Sequence, residues 1–155
     1  MKAFTLTQPW ASLVTTGEKK YETRSWQTKY RGPLVIHSAK TFPKPAREIC
    51  FANPVFRLTL ERLGFQLKNL QVDMLFGFIL GMVDLVEVSE IDDTFKFNSN
   101  SLTSKEMEFG DYTNGRYAWK FENPRTILPI KAKGALSLWK VPGPIEATIK
   151  KELGL

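Results

Sequence analysis

Apolar and polar positions along the chain mark out several short strands broken by short helices. Residues 2–6 read as a first strand. A helix over about 9–16 follows, with Pro9 suited to its first turn and Thr7 the expected N-cap. Gly17 is placed to end that helix in a left-handed conformation. From Lys20 the chain is expected to run as a strand to about Trp26, with side chains alternating between two faces. A basic loop spans 28–32, and 34–37 is a short apolar strand. Pro43, Pro45 and Pro54 punctuate two short helices over 48–52 and 54–63, the second closed by Gly64. Residues 76–88, rich in Val, Leu, Ile and Phe, read as a long central strand. Its hydrophobicity does not alternate cleanly, so both faces are expected to be partly covered. Glu87, Glu90, Asp92 and Asp93 form an acidic edge after it, and 98–104 reads as a polar loop. Tyr117, Trp119 and Phe121 alternate with Ala118, Lys120 and Glu122 as a strand does. A last strand over 134–141 precedes a short helix that opens at Gly143-Pro144. The pattern predicts an α+β fold with a mainly antiparallel, curved sheet. It shows no repeat, linker or second domain.

One stretch breaks the pattern. Gly17-Glu18-Lys19-Lys20-Tyr21-Glu22-Thr23-Arg24 sets three cations and two carboxylates between apolar, aromatic-rich flanks. With a strand from Lys20, Glu22 and Arg24 share a face, and Lys19 in the turn can swing to the same side. Two readings fit that spacing. One is a surface ion pair that holds a helix-to-strand corner and is worth little. The other is a functional cluster, since perturbed charges gather at sites.

The same residues resemble a known family. Gly17, Lys19, Glu22 and Arg24 match the GxKxxExR signature of the ASCH family, the activating signal cointegrator homology domain. The resemblance extends to Gln8-Pro9-Trp10-Ala11-Ser12-Leu13, Arg24-Ser25-Trp26 and Arg31-Gly32-Pro33-Leu34-Val35-Ile36-His37. It continues through Phe109-Gly110-Asp111-Tyr112, Gly115-Arg116-Tyr117-Ala118-Trp119 and residues 134–141. It implies that 1–155 is a single ASCH domain: a PUA-like small β-barrel of mainly antiparallel strands flanked by short helices, with the signature lining a cleft beside the barrel. The family is regarded as nucleic-acid-associated, with roles proposed in RNA processing and transcription coactivation. A short branch resembles amidohydrolases acting on N4-acetylcytidine and uses the signature lysine, which corresponds to Lys19. That branch has a threonine where this chain has Glu22, and its second carboxylate has no counterpart marked in this sequence. Ribonuclease activity has also been proposed within the family.

Charge narrows the choice of partner. The chain has 155 residues and a formal net charge of +6. Between Lys19 and Arg57 nine cations face only Glu22 and Glu48, so that segment carries +7 and the remainder −1. A localised positive field attracts phosphate backbones. Trp26 and Tyr30 lie among Arg24, Lys29 and Arg31, and exposed aromatics among cations suit single-stranded nucleic acid. The expected binding residues are therefore Lys19, Lys20, Arg24, Trp26, Lys29, Tyr30, Arg31 and Lys40. RNA is the expected partner, with DNA or a modified nucleoside as alternatives. If the protein is an enzyme, Lys19, Glu22 and Arg24 are its candidate catalytic residues, because a buried lysine beside a carboxylate can act as base or nucleophile.

Other chemistries lack support. There is no GxGxxG, Walker loop or GxSxG. One His and one Cys cannot build the usual zinc sites, so no metal or cofactor is expected. His37, in an apolar strand, is read as a core or cleft-wall residue, and Cys50 as a packed one. A single cysteine forms no internal disulfide, which fits a reducing cytoplasm. The longest apolar run, 74–83, is too short to cross a bilayer, so no membrane partner is expected.

Overall fold

The computed structural model describes residues 1–100 and 102–155. Strand β1 (Lys2–Leu6) leads into helix α1 (Trp10–Thr15), and β2 (Tyr21–Arg24) is followed by β3 (Gly32–Ser38). Helices α2 (Lys44–Ala52), α3 (Pro54–Arg62) and α4 (Leu70–Asp73) form a layer before the long strand β4 (Phe78–Glu90). Two short helices, α5 (Asp93–Asn98) and α6 (Ser104–Phe109), precede β5 (Tyr117–Lys131). The chain ends with β6 (Leu138–Lys140) and α7 (Gly143–Leu153).

The six strands form one sheet in the order β2-β5-β4-β3-β1-β6. Among the described residues only β1 and β3 run parallel, and every other pairing is antiparallel. The sheet curls into a half-barrel because the β4–β5 ladder slips register at three places, between Ile79 and Gly81, Met82 and Asp84, and Leu85 and Glu87. Each bulge bends and twists the pair. Although three strands separate β2 from β1 in the sheet, the Arg24 guanidinium sits 4.7 Å from the Phe4 ring centroid. Trp26, just past β2, meets Trp119 of β5 edge-on at 4.8 Å. Trp119 in turn stacks on Phe4 at 5.0 Å. These aromatics close the curled sheet on itself.

Burial on both faces explains the non-alternating hydrophobicity of β4. Leu80, Val83 and Leu85 pack inward with Phe4, Trp119 and α1. Ile79 and Met82 pack on the other face with Ile127 and with Ile149 of α7. Cys50 lies in a third cluster with Leu13, Phe56, Leu60 and Phe109. Its thiol donates to the Ala46 carbonyl, and burial pushes its pKa up to about 11.

Several boundaries differ from the sequence reading. Helix α1 starts with Pro9 as its cap residue and no side-chain cap. Gln8 does the work expected of Thr7: its fully buried amide oxygen accepts from the Ser12 N–H, and its nitrogen donates to the Leu75 carbonyl. The last strand shrinks to Leu138–Lys140, and β5 is far longer than the 117–121 alternation shows. The acidic edge contains a helix, with the Asp92 carboxylate capping α5 through the Phe95 N–H. The loop expected over 98–104 is bounded by α5 and α6 and includes Ser101, which lies outside the described residues.

Gly81 is required by close approach rather than by turn geometry. A Cβ there would lie 2.1 Å from the Arg125 carbonyl oxygen across the ladder. Gly81→Ala is expected to lower stability by about 2 kcal/mol or more, as overpacking does. The measurement is the urea midpoint, and an unchanged midpoint would contradict this account.

Candidate functional site

Gly17 ends α1 with φ at +81°, and the turn directs Lys19 inward. Only 1% of Lys19 is exposed. Its ammonium donates to the Tyr21 carbonyl. It also lies 3.9 Å from Glu22 Oε1 and 3.9 Å from Glu106 Oε1. Burying a charge is costly unless partners replace its water, and three acceptors do so here. Glu106 has a second task. Its carboxylate accepts the Lys20 and Tyr21 N–H groups at 3.0 and 2.9 Å, pinning α6 against the start of β2. Glu18 reinforces the junction, pairing with Arg62 of α3 and Lys105 of α6.

Glu22 faces two ways. Its Oε1 accepts from the Thr23 N–H, and its Oε2 lies 3.8 Å from Arg24 Nη2. Arg24 Nη2 also donates to the Thr5 carbonyl at 3.4 Å, and among the described residues its buried Nε has no acceptor. Glu22 and Arg24 line a cleft of about 480 Å³ between the barrel and the helical layer. Trp10, Ile49, Phe56 and Phe109 form apolar walls, and Glu108 and Asp111 add carboxylates. The Trp10 indole is fixed by donating to the Phe109 carbonyl at 2.7 Å.

This geometry brings together Lys19, Glu22 and Arg24, with Lys19 sealed behind the cleft rather than exposed in it. The other expected binding residues scatter. Lys20 is exposed and lines a separate hollow with Lys120. Trp26 is half-buried against the barrel core, and its carbonyl accepts from the Trp119 indole. The Tyr30 hydroxyl donates to the Pro33 carbonyl. Lys29 and Arg31 lie before the start of β3, where the Arg31 guanidinium holds the Thr28 and Tyr30 carbonyls. Lys40 lies past the other end of β3, about 20 Å away at the rise of an extended strand. The basic segment is therefore not one patch, and the signature cleft is not basic: three carboxylate residues accompany its one cation.

Glu106 is the carboxylate that sequence reasoning missed. A signal for it exists. Thr103 and Glu106 have capping-box spacing, and the Thr103 hydroxyl accepts from the Glu106 N–H at 3.1 Å. The Glu106 side chain departs from that motif by reaching to β2 instead of back to its own helix start.

The profile of the ASCH domain matches residues 4–131. The chain belongs to the ASCH family. It is 28% identical over 147 residues to activating signal cointegrator 1 of Homo sapiens, and equally to that of Mus musculus, covering 94% of this chain. The chain spans 23% of the length of these curated relatives. The crystal structure of ASCH from Zymomonas mobilis superposes with a TM-score of 0.54 at 12% identity, over 97% of this chain and 93% of that one. A tyrosine-to-phenylalanine mutant of the same Zymomonas mobilis protein superposes with the same score, over 96% of its length. At that identity the likeness speaks to fold alone. Among the described residues of this ASCH domain, no group of three or more His, Cys, Asp or Glu side chains could hold a metal ion. No helix among them is long and apolar enough to cross a membrane.

His37 lies apart from the cleft, buried in β3. Its Nε2 faces the Ala132 carbonyl at 2.8 Å and must donate, so Nδ1 accepts from the Thr5 hydroxyl at 3.2 Å. Thr5 in turn accepts from the Trp139 indole at 3.0 Å. Burial lowers the His37 pKa, opposed by the nearby Ala132 and Gly77 carbonyls.

Two tests follow from these contacts. Lys19→Met strands two buried carboxylates and should cost about 3–5 kcal/mol. Glu106→Gln should cost about 1–3 kcal/mol. Because both act on one cluster, the double variant should lose less than the sum. Additive losses in urea denaturation would refute the coupling. For His37, the unfolded chain takes up a proton below about pH 6.5 that the folded chain resists, so stability should fall as pH drops through that value towards the depressed folded pKa. His37→Gln should flatten the dependence between about pH 7.5 and about pH 5.5. Equal slopes for the two proteins would contradict the assignment.

Proposed function

We propose that this ASCH domain binds single-stranded RNA and seats one unpaired base in the signature cleft. The observation that carries the reading is the floor of the cleft. There Glu22 presents an acceptor beside the Arg24 guanidinium, whose Nε is buried without a partner. A buried polar group without a partner is rare in folded proteins and calls for an explanation such as a ligand. An adjacent acceptor and donor match the mixed edge of a nucleobase. The walls of Trp10, Phe56 and Phe109 suit its apolar faces. The volume falls in the range of small-ligand pockets. Membership of a family regarded as nucleic-acid-associated supports the same reading.

The hydrolase alternative fares less well. Its proposed nucleophile or base, Lys19, has a fully buried side chain with its ammonium held by a carbonyl and two carboxylates. That arrangement suits a strut that orients Glu22.

The test is fluorescence anisotropy with labelled homopolymer RNAs of about eight nucleotides. Arg24→Ala should weaken binding about tenfold or more, the scale of a lost charge-assisted hydrogen bond. It should also reduce discrimination between bases. Unchanged affinity in Arg24→Ala would overturn the reading. N4-acetylcytidine incubated with wild type should remain intact, and its deacetylation with loss of activity in Glu22→Gln would favour the hydrolase instead.

A further inference from the structure

We infer that the phosphates of the bound strand run through a second cavity, lined by Lys40, Lys131 and Lys133. This rests on the RNA reading above and extends it to where the polyanion lies. The cavity measures about 920 Å³ and opens at the C-terminal end of the parallel β1–β3 pair. Thr5 and His37 line it, with Phe76 and Phe78 as its aromatic wall. None of its lining residues is acidic. Among the described residues, no carboxylate lies within 4.0 Å of any of the three ammonium groups.

Charge separates the two cavities. The cleft has Glu22, Glu108 and Asp111 against Arg24, so a phosphate backbone is repelled from it while a neutral base is not. Three like charges gathered in the second cavity raise a local positive potential that an anion relieves. His37 contributes no charge there, because burial lowers its pKa and both ring nitrogens are engaged. The lysines alone supply the attraction.

The cavities also adjoin. Thr7 lines the cleft and Thr5 lines the second cavity, two residues or about 7 Å apart along extended backbone. Arg24 of the cleft donates to the Thr5 carbonyl. A strand with one base in the cleft can therefore lay its next phosphates among the lysines. Half-buried Phe76 and Phe78 are placed to meet a neighbouring base. Lys131 and Lys133 belong to neither the signature nor the basic segment of the sequence, and they meet Lys40 because the start of β4 pairs with the ends of both β3 and β5.

The experiment measures the affinity of RNA of about eight nucleotides across about 0.05–0.3 M salt. Lys131→Ala with Lys133→Ala should flatten the slope of log K against log salt by about 1.4, two phosphate contacts at about 0.7 each. The corresponding Glu pair should weaken binding at least tenfold at low salt. Neither pair should change the affinity of a free nucleoside, and Lys29→Ala with Arg31→Ala should leave the slope unchanged. Thermal unfolding of each variant separates lost binding from lost fold. If Arg24→Ala abolishes binding but the Lys131 and Lys133 variants, folded, keep the wild-type slope, this inference fails and the cleft reading stands. If the Lys29 and Arg31 pair flattens the slope and the lysine pair does not, the phosphates lie at the other end of β3 and the inference fails. If wild type binds no RNA, both fall together.

Discussion

The ammonium of Lys19 is the charge around which the site is built. Taking it out of water costs several kcal/mol, and no single neighbour offsets that. Compensation comes from Tyr21 and Glu22 on β2 and from Glu106 on α6. The turn, the strand and the helix must therefore be in place together. Glu22 and Glu106 are held where the lysine needs them, and Glu22 then shows its second oxygen to Arg24 and the cleft. An interior ion cluster thus sets the orientation of the carboxylate at the floor of the cleft.

The curl of the sheet supplies the other half of the site. A flat six-stranded sheet would leave β2 far from β1. Bulges in the β4–β5 ladder and a glycine at Gly81 let those strands bend and approach closely. Phe4, Trp26 and Trp119 fill the closing seam with stacked and edge-on contacts, the arrangement aromatic quadrupoles favour. Arg24 lies over this seam and bonds to β1. Its position is a product of barrel closure as much as of its own strand.

The charge of the molecule is segregated more finely than its total of +6 indicates. Three carboxylates line the signature cleft, and the three lysines of the adjoining cavity have no carboxylate within 4.0 Å among the described residues. A buried, neutral histidine lies under the lysines and ties Thr5 to the turn after β5. Thr7 and Thr5, two residues apart, thus line a cleft that holds three carboxylates beside Arg24 and a cavity that holds three lysines.

Local chemistry determined much of this in advance. The signature spacing places Glu22 and Arg24 on one strand face, because side chains alternate with period two, and Gly17 takes the left-handed conformation that lets Lys19 turn inward. Strand and helix identities over most of the chain follow from short-range pattern, as does the mainly antiparallel α+β sheet. What the pattern could not carry are contacts between residues far apart in sequence. Glu106 reaches Lys19 across eighty-odd positions because α6 docks on β2, and its capping-box spacing from Thr103 sets it apart from Glu108 without telling where its carboxylate goes. Lys40 joins Lys131 and Lys133, and parts from Arg31, only because β3 runs extended between its ends and the start of β4 pairs with the ends of both β3 and β5. Sequence proximity grouped the cations into one basic segment. Tertiary structure regrouped them, since the field at a site depends on distance through space and not along the chain.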